Sequence, residues 1–179
     1  PNGAKAGTFI LRAAYRDKGA KGQAPLEGSA MLVMRPALQQ AEQADTISKG
    51  VVVLRPFDNE VAVLNNLTSN TFVCFRYVDL TGLGAITLRI GSGDRLNPMA
   101  GGRIELHLDG PDGPVVGQLD VPADNAAEKM TFEEKVLTLS PSGDGQFHDL
   151  YFIFKNDTAP ASPVTLVDWI RFDPAGQIR

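Results

Sequence analysis

Residues 101–120, GGRIELHLDGPDGPVVGQLD, admit few folds. Ile104, Leu106 and Leu108 alternate with Arg103, Glu105 and His107, the period-two pattern of a strand with one buried and one wet face. Residues 109–113 then supply glycines and a proline, suited to positive φ and to a φ fixed at about −65°. Residues 115–119 carry the chain back as a return strand. An antiparallel pair this tight commits its surroundings to a sheet, and the expectation is that it forms the central hairpin of a β-sandwich.

The rest of the chain repeats the pattern. Residues 8–15 (TFILRAAY) and 29–34 read as strands around a loop rich in Gly, Lys and Pro, a hairpin appended to the main domain. Residues 37–47 have helix-forming composition but no sustained apolar stripe, and are expected to be mostly extended. Two β-branched runs, 51–54 and 60–64, flank a loop that carries Pro56 and the ring of Phe57. Residues 72–78 are apolar at nearly every position, as in a central strand covered on both faces. Further strands are expected at 85–91, as a pair within 130–139, and at 150–155 and 165–172. Roughly nine or ten short strands with turn signals between them argue for an all-β fold, a sandwich of two antiparallel sheets with an N-terminal β-hairpin extension. The expected division is an extension over 1–36, the sandwich over 37–174 and a tail over 175–179.

Charge excludes some partners. A formal net charge of −4 on 179 residues, with no basic cluster, weighs against nucleic acid and anionic membrane. No apolar run approaches the roughly 18 residues of a membrane span. Cys74 sits in the apolar run 72–75 and is read as a small buried hydrophobe; as the single cysteine it leaves no intramolecular disulfide. The chain opens at Pro1 without an initiator Met or a signal segment, which reads as a piece of something longer.

Three segments in fixed order now meet: GGRIELHLDGPDGPVVGQLDVP (101–122), FHDLYFIFK (147–155) and VDWIRF (167–172). With Gln40-Ala41-Glu42 and residues 72–93 they resemble the family 6 carbohydrate-binding modules, over residues 38–172. The resemblance implies a β-jelly-roll and a non-catalytic module that anchors a larger secreted bacterial enzyme to polysaccharide or oligosaccharide. The preceding ILRAAYRDKGAKGQAPLEG is similar to the lead-in of such modules in long secreted proteins that also carry cytochrome, quinoprotein sugar-dehydrogenase-like or trehalose-utilisation-like domains. It implies other domains of a parent multidomain protein as partners, and a secreted, periplasmic or cell-surface location.

In the family a structural calcium is held by oxygens of an N-terminal E-x-E type motif and by the Asp before the late Trp. The matching positions here are Gln40, Glu42 and Asp168. Calcium accepts six to eight oxygen ligands without fixed geometry, and residues two apart on a strand point the same way, so Gln40 and Glu42 are expected to face one ion. The family's sugar cleft uses two aromatic rings stacked on a pyranose, an Asn two residues before the Asp of D-W, and an acidic residue. Here residues 125–130 (NAAEKM) replace a Trp-bearing stretch, and Leu166 replaces the Asn. Phe57 and Phe132 remain as candidates for stacking, with Asn59 and Glu60 beside Phe57 as polar partners. Trp169 is read as core, and Tyr77 and Tyr151 as packed within the sheets.

No catalytic pattern competes. His107 and His148 are the only histidines, and G-x-S-x-G, H-E-x-x-H and phosphate-loop motifs are absent. Glu133 and Glu134 are strand neighbours that point to opposite faces and cannot flank one glycosidic bond. The chain is therefore expected to be no enzyme but a carbohydrate-binding module. The alternative is a structural or interaction sandwich that has lost its sugar cleft and packs against other domains of its parent.

Overall fold

The structure, a computed structural model, describes residues 9–55, 62–94, 97–123, 130–140 and 144–176. The chain divides into two compact units, residues 1–36 and 37–179. The first is a hairpin of β1 (Phe9–Arg16) and β2 (Glu27–Met34), paired antiparallel from Phe9↔Met34 to Arg16↔Glu27. Asp17 anchors its loop: the Oδ1 atom accepts the amides of Gly19 at 2.8 Å and Leu26 at 2.9 Å, an Asx-type closure that needs no tight two-residue turn.

The second unit is a sandwich. Its strands are β3 (Leu38–Gln40), β4 (Thr46–Ile47), β5 (Val52–Leu54), β6 (Val63–Asn65), β7 (Phe72–Asp79), β8 (Leu83–Gly91), β9 (Gly102–Leu108), β10 (Val115–Val121), β11 (Phe132–Thr138), β12 (Phe147–Lys155) and β13 (Leu166–Pro174). One sheet is ordered β10-β9-β12-β7-β4, the other β11-β8-β13-β6-β5, with β3 also on β13. The late strands β12 and β13 insert between early ones, which gives the jelly-roll crossing. Alternation fills the space between the sheets: Ile86, Leu88 and Ile90 from β8 face Ile104 and Leu106 from β9 and Leu150, Phe152 and Phe154 from β12, all of them buried.

Several sequence expectations change. The hairpin at 101–120 forms, but at the side of its sheet, since β10 is an edge strand. Within its turn the positive φ belongs to Asp109, at 61°. Gly113 is required for another reason: a Cβ there would collide with the carbonyl oxygen of Leu108. Residues 130–139 give one strand, β11, because all seven of its residues pair with β8. Strand β7 is covered on both faces over residues 73–75, all buried, but not further on, where Arg76 and Tyr77 are exposed, Tyr77 to 62% at a φ of 55°. Trp169 is not core. It pairs with Arg89 across the β13–β8 ladder on the outer face, half-buried, with the Arg171 guanidinium 5.4 Å from its ring. A bulge between Val167 and Trp169 shifts the alternation, so Val167 and Ile170 point inward and the Trp outward. Tyr151 packs half-buried on Phe72, ring centroids 5.3 Å apart. Cys74 is buried, as expected.

One end of the sandwich is held by His148. Its Nδ1 lies 2.8 Å from Asp109 Oδ2 and its Nε2 3.2 Å from Asp144 Oδ1, so the imidazolium satisfies both carboxylates where the neutral ring can donate to one only. The bond to Asp109 chiefly holds the His148 pKa above its ordinary 6.5, with burial opposing and Asp144 adding. A raised folded pKa means the clamp contributes fully below the unfolded value and is lost as pH rises through the folded one. Both aspartates are held below their ordinary 3.8, so the contribution is lost again as pH falls through their depressed values. The melting temperature of the native chain should exceed that of His148→Gln most at mildly acidic pH, with the gap closing towards alkaline pH. A gap independent of pH would remove the charge from the account.

Candidate functional site

At the other end β8 finishes, β11 and β13 begin, and the loops 97–101 and 121–123 close over them. A cavity of about 130 Å³ opens here between the sheets, its rim including Ser92, Thr131, Glu133, Val164 and Thr165. The hydroxyls are placed by the backbone. Ser92 Oγ lies 2.8 Å from Thr131 Oγ1 and accepts the Thr131 amide at 3.2 Å, while Thr165 Oγ1 donates to the Gly91 carbonyl at 2.9 Å. Glu133 reaches Lys135 at 2.9 Å and keeps its carboxylate partly exposed. Glu134, on the opposite face, pairs with Arg171 at 3.4 Å, so the two glutamates diverge as the strand period requires.

Phe132 stands on the outer side of the same corner. Its register partner is Gly91, and Gly91 pairs with Leu166. A Cβ at position 91 would come within 2.8 Å of the Phe132 ring, so the glycine makes room for it. The ring is half-buried with the Arg89 guanidinium 4.7 Å from its centroid, a cation–π contact. Leu166 is fully buried in a small apolar cluster with Val63 and Met99, against which Leu54, Met130 and Phe132 pack. Phe57, Asn59 and Glu60 lie outside the described residues.

Of the expected metal ligands, Glu42 and Asp168 lie close enough for their carboxylates to act on one another. Gln40 ends β3 opposite Trp169. Glu42, however, lies in a 3₁₀ turn, Ala41–Gln43, so strand alternation does not orient the two side chains as the sequence suggested. Asp168 is buried and ion-paired with Arg89. Burial raises the Glu42 pKa, the Asp168 carboxylate adds to the rise, and its own amide and Arg55 oppose it. The Oε2 of Glu42 and the Oε1 of neighbouring Gln43 are buried without a hydrogen-bond partner. Buried acceptors left unpaired beside a second carboxylate suit a hard cation that seeks oxygen. Among the described residues no three His, Cys, Asp or Glu side chains cluster as a metal site, so amide and carbonyl oxygens would complete any such shell.

Arg89, Ser92, Thr131 and Thr165 were not singled out from the sequence. Arg89 alone carried a signal, as the one charge inside the apolar run 85–91.

A jelly-roll sandwich whose polar groups converge at one loop end, with both histidines set against carboxylates, has the form of a binding module. The model for "Carbohydrate binding module (family 6)" matches residues 63–174, more than half of the chain, and the chain belongs to this family of non-catalytic carbohydrate-binding modules. Solved structures agree on the fold. A family 6 module from Clostridium stercorarium in complex with cellobiose aligns with a TM-score of 0.59 at 17% identity, over 77% of this chain and 93% of that one. A β-1,3-glucan-binding family 6 module from Bacillus halodurans aligns with a TM-score of 0.60 at 21% identity, over 76% and 94%. A family 43 arabinoxylan arabinofuranohydrolase from Bacillus subtilis, in complex with cellotetraose, aligns with a TM-score of 0.61 at 19% identity, over 76% of this chain but only 27% of the enzyme. No curated protein matches the chain.

Proposed function

We propose that the chain targets a larger secreted bacterial protein to polysaccharide, taking glycan at the end of the sandwich where β8, β11 and β13 meet. The observation that carries this placement is the convergence of the hydroxyls of Ser92, Thr131 and Thr165 and the Glu133 carboxylate around one small cavity, with the Phe132 ring on the outer side of the same strand end. An aromatic ring offers apolar area to the C–H face of a sugar, and a few convergent polar groups fix its orientation. Phe57, Asn59 and Glu60 complete the site from the loop before β6 in this reading. The parent is multidomain, as in the arabinofuranohydrolase that the module matches over 27% of its length. Residues 1–36 serve as the linking extension and 37–174 as the module.

In the same reading Gln40, Glu42 and Asp168 hold a structural calcium, supported by the unpartnered Oε2 of Glu42. Calcium supplies positive charge and a shell of six to eight oxygens. These residues bring it the buried carboxylates and tie the turn after β3 to β13. Binding only to the folded state, it raises stability by mass action.

Titration calorimetry and Trp169 fluorescence with cellobiose, soluble β-glucans and xylans test the sugar site. Saturable binding is expected, and Phe132→Ala should weaken it about tenfold, ~1.4 kcal/mol of lost stacking. Absence of saturable binding to every glycan would overturn the placement. Melting in calcium and in chelator tests the ion: a lower melting temperature in chelator is expected for the native chain, with the difference abolished in Glu42→Gln.

A further inference from the structure

We propose that the cavity reads the acetamido group of a 2-acetamido sugar, which makes glycans that carry N-acetylhexosamine the preferred class. The inference rests on the reading that glycan is taken where β8, β11 and β13 meet, and it follows from size, polarity and the count of donors and acceptors. The cavity measures about 130 Å³. One of about 150 Å³ holds a benzene molecule, so on the order of five heavy atoms fit here. A pyranose residue is far larger and stays outside; only a substituent enters. The hydroxymethyl arm of a hexose, one carbon and one oxygen, leaves more than half of the space empty, and an unfilled lining forfeits its contacts. An acetamido group, with its nitrogen, carbonyl carbon, oxygen and methyl, fills it.

The lining divides by burial. Ile90, Met99 and Val121 are buried and apolar, while Ser92, Thr131 and Glu133 lie nearer solvent. A group that enters therefore needs an apolar end for the first set and polar atoms behind it for the second. The acetamido methyl is such an end, whereas a hydroxymethyl group sets its hydroxyl against apolar side chains, at the cost of an unpaired polar group. The second set offers a donor and an acceptor. Ser92 Oγ and Thr131 Oγ1 lie 2.8 Å apart and share one hydrogen bond, so one of their protons remains, and the Thr131 carbonyl holds it only at 3.4 Å from Ser92 Oγ. That proton suits the acetamido carbonyl oxygen. Lys135 lies 2.9 Å from Glu133 Oε1, and a carboxylate has further acceptor sites, which suit the acetamido N–H. Thr165 takes no part as a donor, since its proton goes to the Gly91 carbonyl at 2.9 Å. A uronate or sulfate arm would set a second negative charge beside Glu133.

Titration calorimetry with N,N′-diacetylchitobiose and with cellobiose tests this, because the two differ only in acetamido against hydroxyl at the second carbon of each ring. The native chain should bind the acetylated disaccharide at least about tenfold tighter. Glu133→Ala should shrink that ratio several-fold, and Glu133→Gln, which keeps an acceptor oxygen, should retain most of it. A second readout needs no variant: in saturation-transfer NMR the acetamido methyl should receive the strongest transfer of any ligand group, with a cross-peak to the Met99 methyl. Equal affinity for the two disaccharides, a ratio that Glu133→Ala leaves intact, or an acetamido methyl that receives no more transfer than the ring protons would overturn the inference while the glycan site stands. Binding of neither disaccharide nor of any other glycan would overturn the inference and the glycan site together.

Discussion

Arg89→Met is expected to destabilise the sandwich by about 3–5 kcal/mol, the cost of leaving a buried carboxylate without its cation. Asp168 is 3% exposed, and Arg89 is its ion-pair partner. The same guanidinium lies over the Phe132 ring, so one substitution strips charge from the buried site and a contact from the proposed sugar platform. Urea unfolding followed by Trp169 fluorescence measures the loss. Asp168→Asn in the Arg89→Met background should recover most of it, because removing both charges removes the desolvation cost as well. Calcium separates two accounts of the site. If an ion sits on Gln40, Glu42 and Asp168, Arg89→Met loses much less stability in calcium than in chelator. Equal losses in both would end the calcium reading and leave the buried-pair account intact. A loss below about 0.5 kcal/mol would place Asp168 among ordinary surface carboxylates and overturn the pair itself.

The alternating strands were readable because period two is a direct record of one-sided burial. Ile86, Leu88 and Ile90, and likewise Ile104, Leu106 and Leu108, point where their spacing says. The order of strands was not readable from local pattern: β12 pairs with β9 and β7 over long separations in sequence, and only the resemblance supplied the jelly roll. Bulges account for the misreading of Trp169. A single extra residue between Val167 and Trp169 reverses the face of every later residue on the strand, and no propensity marks it. Residues 37–47 show the same limit. Gln40-Ala41-Glu42 looks like strand spacing, but the chain turns at Ala41, which is buried against the core, so Glu42 leaves the strand period. At the candidate site the sequence pointed to Phe132 but not to the hydroxyls around it, because Ser92, Thr131 and Thr165 come together only when β8, β11 and β13 pair.

Phe75→Ala should cost about 3–5 kcal/mol, the range for deleting a large buried ring. Phe75 is fully buried on β7 and meets Phe152 of its own sheet at 6.1 Å and Phe172 of the facing sheet at 6.4 Å, both edge to face. It thus joins the two layers, and its loss removes burial, leaves a cavity and breaks two oriented aromatic contacts, each worth ~0.5–1.5 kcal/mol beyond area. For a domain of this size the melting temperature should fall by roughly 10 °C. Phe75→Leu fills most of the space and should cost about half as much. Phe147, 44% exposed at the start of β12, is the control, and its alanine variant should lie within about 0.5 kcal/mol of the native chain. Hydrogen exchange in Phe75→Ala should show β7, β12 and β13 losing protection together. Should Phe75→Ala cost no more than Phe147→Ala, the sheets would not meet through this ring, and the register that places it opposite Leu150 would be wrong.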